Sequence, residues 1–269
     1  MPIITISRGS YSRGKEIAEK VASRLGCVCL SRGFLQKEAA QEYQIPEVAL
    51  VRAIHDAPTI LERLGHKKEK YVACYRAVVL KHFQQDNVVY HGLAGHFLVR
   101  GVSHVLKVRI LADMADRVRW EMEREKISKK EARRILQQDD EERRKWSKYL
   151  YGIDTWDPQS YDMILRIRKI SVGDAVDIIC HTALLPNFQA TDESRRKMDD
   201  LVVASSVHVA LIDFRPDVEV SCDHGAVLVR TKVNLTQEDA VAEEIKRIAR
   251  AIPGVREVQV SAHSAFVDV

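Results

Sequence analysis

An α/β fold on a parallel sheet, followed by a smaller α+β unit, is the architecture this sequence predicts, and three observations predict it. Short β-rich runs alternate with helical stretches through about residue 183, the order that builds a parallel sheet covered by helices. Beyond about residue 196 the order becomes helix, two strands joined by a tight turn, helix and strand. The chain has 269 residues, 46% hydrophobic and 30% charged, which suffices for two domains with ordinary cores and excludes a disordered chain. The reading gives a first domain over residues 1–185, a linker over 186–196 and a second domain over 197–269.

The strands of the first domain are expected at residues 3–7, 27–30, 87–91, 104–110 and 161–167. A helix over Gly14–Leu25 separates the first two, with Gly26 as its stop. Several helices fill residues 35–85, too much chain for one crossover, so this block is expected to cover a substrate. Residues 113–149 are densely charged and helical, with signs that nearly cancel, the pattern of a solvated face laced with i,i+4 pairs. Ser128 with Glu131 three residues later is a capping box that divides this stretch in two. Pro186, Asn187 and the polar run after them mark the linker.

In the second domain a leading helix is expected over residues 199–211. Strands over 217–222 and 226–233 flank Asp223-His224-Gly225, a hairpin signal in which Asp223 and His224 read as turn residues rather than an acid–base pair. Val241, Ile245, Ile248 and Ile252 make residues 239–252 an amphipathic helix, ended by Pro253-Gly254 before a strand over 255–260.

The 42 basic and 38 acidic residues nearly balance, so charge does not call for a nucleic-acid partner. No apolar run reaches the length of a membrane span, and residues 1–7 lack the pattern of a signal peptide. The five cysteines are scattered, with no C-x-x-C. Cys27 and Cys29 flank Val28 and read as small buried hydrophobes ahead of a metal or disulfide pair, which points to a reducing cytoplasm.

The sharpest chemical signal is Gly9-Ser10-Tyr11-Ser12-Arg13-Gly14-Lys15, the G-x-x-x-x-G-K spacing of a phosphate-binding loop between a strand and a helix. Its backbone N–H groups and the helix N-terminus would form a nest for anionic oxygens, and Lys15 would place a positive charge on the β- and γ-phosphates of a nucleotide. Glu16 follows Lys15, where a Ser or Thr hydroxyl normally binds Mg²⁺. The plainer reading is a glycine-containing turn with a surface lysine.

Here the sequence resembles the cytidylate-kinase-like P-loop proteins. The resemblance rests on Ile4-Thr5-Ile6-Ser7-Arg8 with Gly14-Lys15-Glu16-Ile17-Ala18, on Val108-Arg109-Ile110-Leu111-Ala112 and the helix with Arg117, and on Met122-Glu123-Arg124-Glu125. It continues through Ser128 to Ala132, Asp140-Glu141-Glu142-Arg143, Trp156-Asp157-Pro158 and Tyr161-Asp162, so it covers about residues 1–183. It implies a three-layer nucleoside-monophosphate-kinase fold with a five-stranded parallel core, a helical insertion for the acceptor nucleotide and a basic lid. Glu at the site of Glu16 is common in that family. It further implies ATP with Mg²⁺, and a CMP- or dCMP-like acceptor.

Phosphoryl transfer between two anions needs charge neutralisation and in-line positioning, which arginines supply through bidentate contacts. The lid candidates are Arg117, Arg124, Arg143 and Arg144, with Asp140 orienting them or the metal; a helix-surface salt bridge is the alternative for each arginine. Arg8, Arg32, His91 and Gly92 are the acceptor-side candidates, and Gly9, Ser10, Tyr11, Ser12, Arg13, Gly14, Lys15 and Glu16 the donor-side set. Five positions in three places depart from the family: Tyr11 and Arg13 stand among its loop glycines, Leu93 follows Gly92 where it has Arg, and Arg166-Ile167 replaces its Asn-Thr.

The C-terminal part resembles a BON domain, a module of bacterial envelope and osmotic-stress proteins. The residues that carry this are Val218-Glu219-Val220, Asp223 to Val227, Ala249 to Ile252 and Pro253-Gly254-Val255. It implies a ligand-binding, regulatory or oligomerising unit, with sheet edges that could pair between chains into a homo-oligomer. Two functions follow: a nucleoside-monophosphate phosphotransferase, or a nucleotide-responsive sensor whose lid movement reaches the C-terminal unit. Nucleic-acid binding through the basic lid ranks below both, because no aromatic platform accompanies it.

Overall fold

The computed structural model describes residues 2–9, 12–55, 67–92, 95–233 and 237–264. Strands β1 (Ile3–Arg8), β2 (Val28–Ser31), β3 (Val88–His91), β4 (Val105–Ala112) and β5 (Met163–Ile167) form one sheet in the order β2-β3-β1-β4-β5. Every neighbouring pair is parallel; Thr5 of β1 is in register with Tyr90 on one side and Lys107 on the other.

Both faces of the sheet are covered, which is why β1 reads as a nearly continuous apolar run. On one face Ile4, Ile6, Leu106, Val108 and Ile110 pack against α1 (Gly14–Leu25) and α8 (Val172–Ala183). On the other, Ile3, Leu30, Tyr90 and Val105 share a core with α2 (Arg32–Glu42), α4 (Lys67–Gln84) and Trp146 of α7 (Lys129–Tyr151). Helices α3 (Glu47–His55), α5 (Gly95–Leu98) and α6 (Met114–Glu125) complete this part. The result is three layers.

Local signals set several boundaries. Gly26 closes α1 in the left-handed conformation at φ 66°, and the Ser128 hydroxyl starts α7 by accepting from the Glu131 N–H. Cys27 and Cys29 correct the expectation of buried cysteines: Cys27 is half-buried and Cys29 exposed, because β2 is an edge strand without cover on its outer side.

The C-terminal sheet has the order β6 (Glu219–Asp223), β7 (Ala226–Val233), β8 (Glu257–Ser264), antiparallel and then parallel. His224 and Gly225 form its two-residue turn with φ of 51° and 80°, the positive pair that a tight hairpin requires. Helix α10 (Glu238–Arg250) carries β7 over to β8 and buries Ile245 and Ala249 against Val227 and Val229.

Helix α9 (Asp192–Leu211) begins earlier than the sequence pattern suggests. Residues 186–196, read as a linker, hold a 3-10 turn at Pro186–Phe188 and the first turn of α9. The polar run that looked like loop is a helix start: Thr191 and Ser194 form a reciprocal capping box, followed by Asp192 and Glu193 at the positive end of the helix dipole. Met198, Leu201, Val202 and Val209 of α9 join the core of the large sheet, while Ala204, Val207 and Leu211 join the small one. Gln84 to Asp199 at 2.7 Å fastens α9 to α4, and Lys70 of α4 donates to Asp213 in the turn that follows α9 at 2.6 Å. Buried His104 adds a third tie, with Nδ1 2.7 Å from Ser194 Oγ and Nε2 3.1 Å from Asp86. No helix among the described residues is long and apolar enough to cross a membrane.

Candidate functional site

The loop from Gly9 to Lys15 leaves the C-terminal end of β1, the end of a parallel sheet at which strand-to-helix turns open a crevice. Ser10 and Tyr11, like Leu93, lie outside the described residues. Ser12 closes the loop by donating from Oγ to the Gly9 carbonyl at 3.1 Å. Gly14 is required by close approach: a Cβ there would stand 2.7 Å from Arg8 Cδ. Arg13 takes the left-handed conformation at φ 62°, costly for a residue with a side chain.

Arg13 donates from Nε to Glu16 at 2.8 Å, and Lys20 donates to the other Glu16 oxygen at 3.0 Å. These bonds, Lys20 first, hold the Glu16 carboxyl below its ordinary value against the opposing effect of burial. Both oxygens are thus engaged, and Glu16 offers no ready ligand to a magnesium ion. Among the described residues no three His, Cys, Asp or Glu side chains cluster to hold a metal. Lys15 is 65% exposed and lies 3.7 Å from Glu19.

A cleft of about 430 Å³ opens beside the loop, lined by Arg8, Lys15, Ser31, Arg32, His91 and Arg143 among others. Four of these six are cations drawn from four different elements. Arg143 of α7 reaches over to donate to the Arg8 carbonyl at 3.4 Å. Loss of water around its guanidinium, with Arg32 nearby, pulls Arg143 below the ordinary arginine value. His91 is buried, and burial followed by the charge of Arg8 pushes it down to about 4; its Nδ1 has no partner among the described residues. Gly92 makes room for this crowding, since a Cβ there would stand 2.5 Å from Tyr90 Oη and 3.0 Å from Arg32 Cβ. An adjoining hollow of about 670 Å³ shares Arg8 and Lys15 and adds Arg13, Glu16, Trp120 and Arg124.

The structure therefore brings together Arg8, Lys15, Arg32, His91, Gly92 and Arg143, with Arg13, Glu16 and Arg124 at the adjoining hollow. Arg117 is buried, held in a two-pronged pair by Asp140 at 2.8 and 2.9 Å, and its guanidinium lies beside Gly9. Arg124 also pairs with Glu125 at 2.6 Å. Arg144, expected in the lid, stands apart from the others. It lines neither cavity, because Asp154 grips its guanidinium at 2.6–3.1 Å and the Trp156 ring lies 4.9 Å beneath it.

The cytidylate kinase-like family matches residues 3–169, more than half of the chain. The chain belongs to that family. Two archaeal cytidylate kinases are similar to this family member. That of Methanosarcina acetivorans is 33% identical over 100 residues, 36% of this chain and about half (54%) of that protein. That of Sulfolobus acidocaldarius is 25% identical over 177 residues, 65% of this chain and 91% of the relative. Among solved structures, an uncharacterized protein from Eubacterium ventriosum shares the fold with a TM-score of 0.54 at 19% identity, over 68% of this chain and 98% of that one.

Trp120 escaped the sequence reading, because one aromatic residue inside a charged helical run looks like a packing residue. Its ring lies 5.7 Å from the Arg13 guanidinium at the mouth of the adjoining hollow. Asp113 was missed too: at the start of α6 it pairs with Arg166 and, at 3.4 Å, with Arg168. Arg166 thus arrives with a carboxylate partner.

Proposed function

We propose that this chain is an ATP-dependent phosphotransferase that acts on a nucleoside monophosphate with a CMP- or dCMP-like base. The observation that carries the reading is the cleft at the strand ends where Arg8, Lys15, Arg32 and Arg143 converge. Four cations outnumber the one carboxylate that lines the cleft, Glu19, and that excess of positive charge attracts an anion.

In this reading the loop backbone from Gly9 to Lys15 cradles the donor phosphates and Lys15 swings from Glu19 onto them. Arg8 and Arg32 orient the acceptor phosphate, with His91 and Gly92 forming the wall beside it. Arg143 sits between the two sides, where charge develops on the transferred group. Asp140 fixes Arg117 next to Gly9, and Arg124 closes the adjoining hollow against water. Magnesium, arriving with the nucleotide, would neutralise phosphate charge. The free cysteines suit a reducing cytoplasm.

A second reading has its own support. Lys15 is turned outward, the loop carries Arg13 where glycine would let a backbone approach phosphate, and α9 is built into both cores. In a nucleotide-responsive sensor, closure over a bound nucleotide would reach a BON-like C-terminal unit and its small ligand through α9, or alter pairing between chains.

ADP release from ATP and Mg²⁺ against a panel of nucleoside monophosphates separates the two, with Lys15→Ala as control. Turnover with CMP or dCMP, lost in Lys15→Ala, is the expected result. Nucleotide binding by the folded protein with no turnover on any acceptor overturns the kinase reading in favour of the sensor.

A further inference from the structure

Away from the cleft, a polar cavity of about 270 Å³ lies between α5, β4 and the 3-10 turn Pro158–Ser160. Its lining includes His96, Arg100, Lys107, Gln159 and Ser160, and it shares no residue with the lining of the cleft. His96 is only 3% exposed, with its ring packed against Phe97 and Tyr161 at centroid distances of 3.9 and 4.6 Å. Neither ring nitrogen has a hydrogen-bond partner among the described residues. A phenyl ring would serve that packing equally well. A buried imidazole with its donor and acceptor both unmet is costly, so its place in the wall of a polar cavity calls for a reason other than packing.

The charges that line the cavity supply that reason. Arg100 and Lys107 make no ion pair among the described residues. The lining carboxylate, Asp157, has Oδ1 engaged by the Gln159 N–H at 3.0 Å. We propose that this cavity binds a small oxyanion of the phosphate class, either inorganic phosphate or the phosphate group of a small phosphomonoester. Arg100 and Lys107 supply the charge; Ser160 and Gln159 supply directional hydrogen bonds, and the buried His96 ring forms the inner wall. Burial, then Arg109, Lys107 and Arg100, push His96 down to about 3, so that wall stays neutral beside the anion. The site stands independently of what the cleft does.

The test is a titration of the full chain with inorganic phosphate, followed through the His96 imidazole resonances at constant ionic strength. His96→Phe assigns those resonances. The proposal expects a saturable shift that chloride does not reproduce. Lys107→Met and Arg100→Gln, substitutions at a half-exposed and an exposed position, should each weaken binding at least about tenfold. Lys15→Ala, which alters the cleft and the hollow beside it but not this cavity, should leave the affinity within about twofold. A phosphomonoester such as glycerol phosphate binding more tightly than phosphate would name the ester as the physiological source, and the reverse order the free ion. Resonances that stay still through about 10 mM phosphate, or a shift indifferent to Lys107→Met and Arg100→Gln, would overturn it.

Discussion

Asp200 in the C-terminal unit and Arg143 beside the large sheet are both charges drawn out of water, and the chain treats them differently. Asp200 is buried and accepts from the Cys222 thiol at 3.2 Å and from the His224 and Gly225 N–H groups at 3.0 Å each. Burial alone would raise this carboxyl, but those donors outweigh it and hold it below its ordinary value. Arg143 faces a different situation: a long bond to the Arg8 carbonyl, Arg32 on one side, Asp139 and Asp140 on its own helix, and a cavity in front of it. A charge whose hydrogen bonds are all internal holds structure together. A charge that shares a cavity with other cations is poised for something that comes from outside.

That contrast can be broken experimentally. The largest effect is expected at the cleft: Arg143→Met should lower kcat/KM for phosphoryl transfer by about 100-fold or more while leaving the thermal midpoint nearly unchanged. Equal losses of activity and stability would place Arg143 with Asp200 instead. At Asp200 the expectation is the reverse. Asp200→Ala strands two buried N–H groups of the hairpin turn and should cost about 2–4 kcal/mol in urea unfolding, with no direct effect on the cleft. Because its folded value is depressed, the Asp200 carboxylate stabilises the fold above the unfolded value of about 4 and loses that contribution as pH falls through the folded one. Asp200→Asn should flatten that acid limb; an unchanged limb would show that Asp200 does not carry it.

Histidine adds a shallower pH dependence. His91, His96, His104 and His208 are each held below their ordinary value, by burial first. Their neutral forms favour folding fully above the unfolded value of about 6.5, and the contribution declines as pH falls from there toward the folded values. Stability should therefore drop between about pH 7 and 5, and His104→Gln should reduce that slope, read from urea midpoints across the range. A slope that survives the substitution would remove His104 from the account. The smallest effect belongs to Arg144→Met: its pair with Asp154 is 42% exposed on the arginine side, so the urea midpoint should stay nearly unchanged and turnover within about twofold.

How much of this was legible in the sequence depended on how local each signal was. The Gly26 stop of α1, the Ser128 start of α7 and the His224-Gly225 turn were readable because each is decided by a few consecutive residues and their backbone preferences. The glycines at 9 and 14 with Lys15 were readable for the same reason. The choice among the lid arginines was not. Arg143 and Arg144 are neighbours in sequence and identical in type, yet lie about 100° apart around one helix, so one reaches the cleft and the other meets Asp154.

The sequence by itself determined the alternation of strands and helices, the phosphate-type loop after β1 and the hairpin of the second unit, since these follow from periodicity and turn chemistry within short windows. Only the tertiary structure decided that α9 belongs to both cores, that Trp120 stands beside the loop, and that the His96 ring is buried against Tyr161 in the wall of a polar cavity. Those outcomes depend on which faces meet when the layers pack, between residues as much as 154 apart such as Ser7 and Tyr161. A linear pattern holds the faces of each element but not their partners.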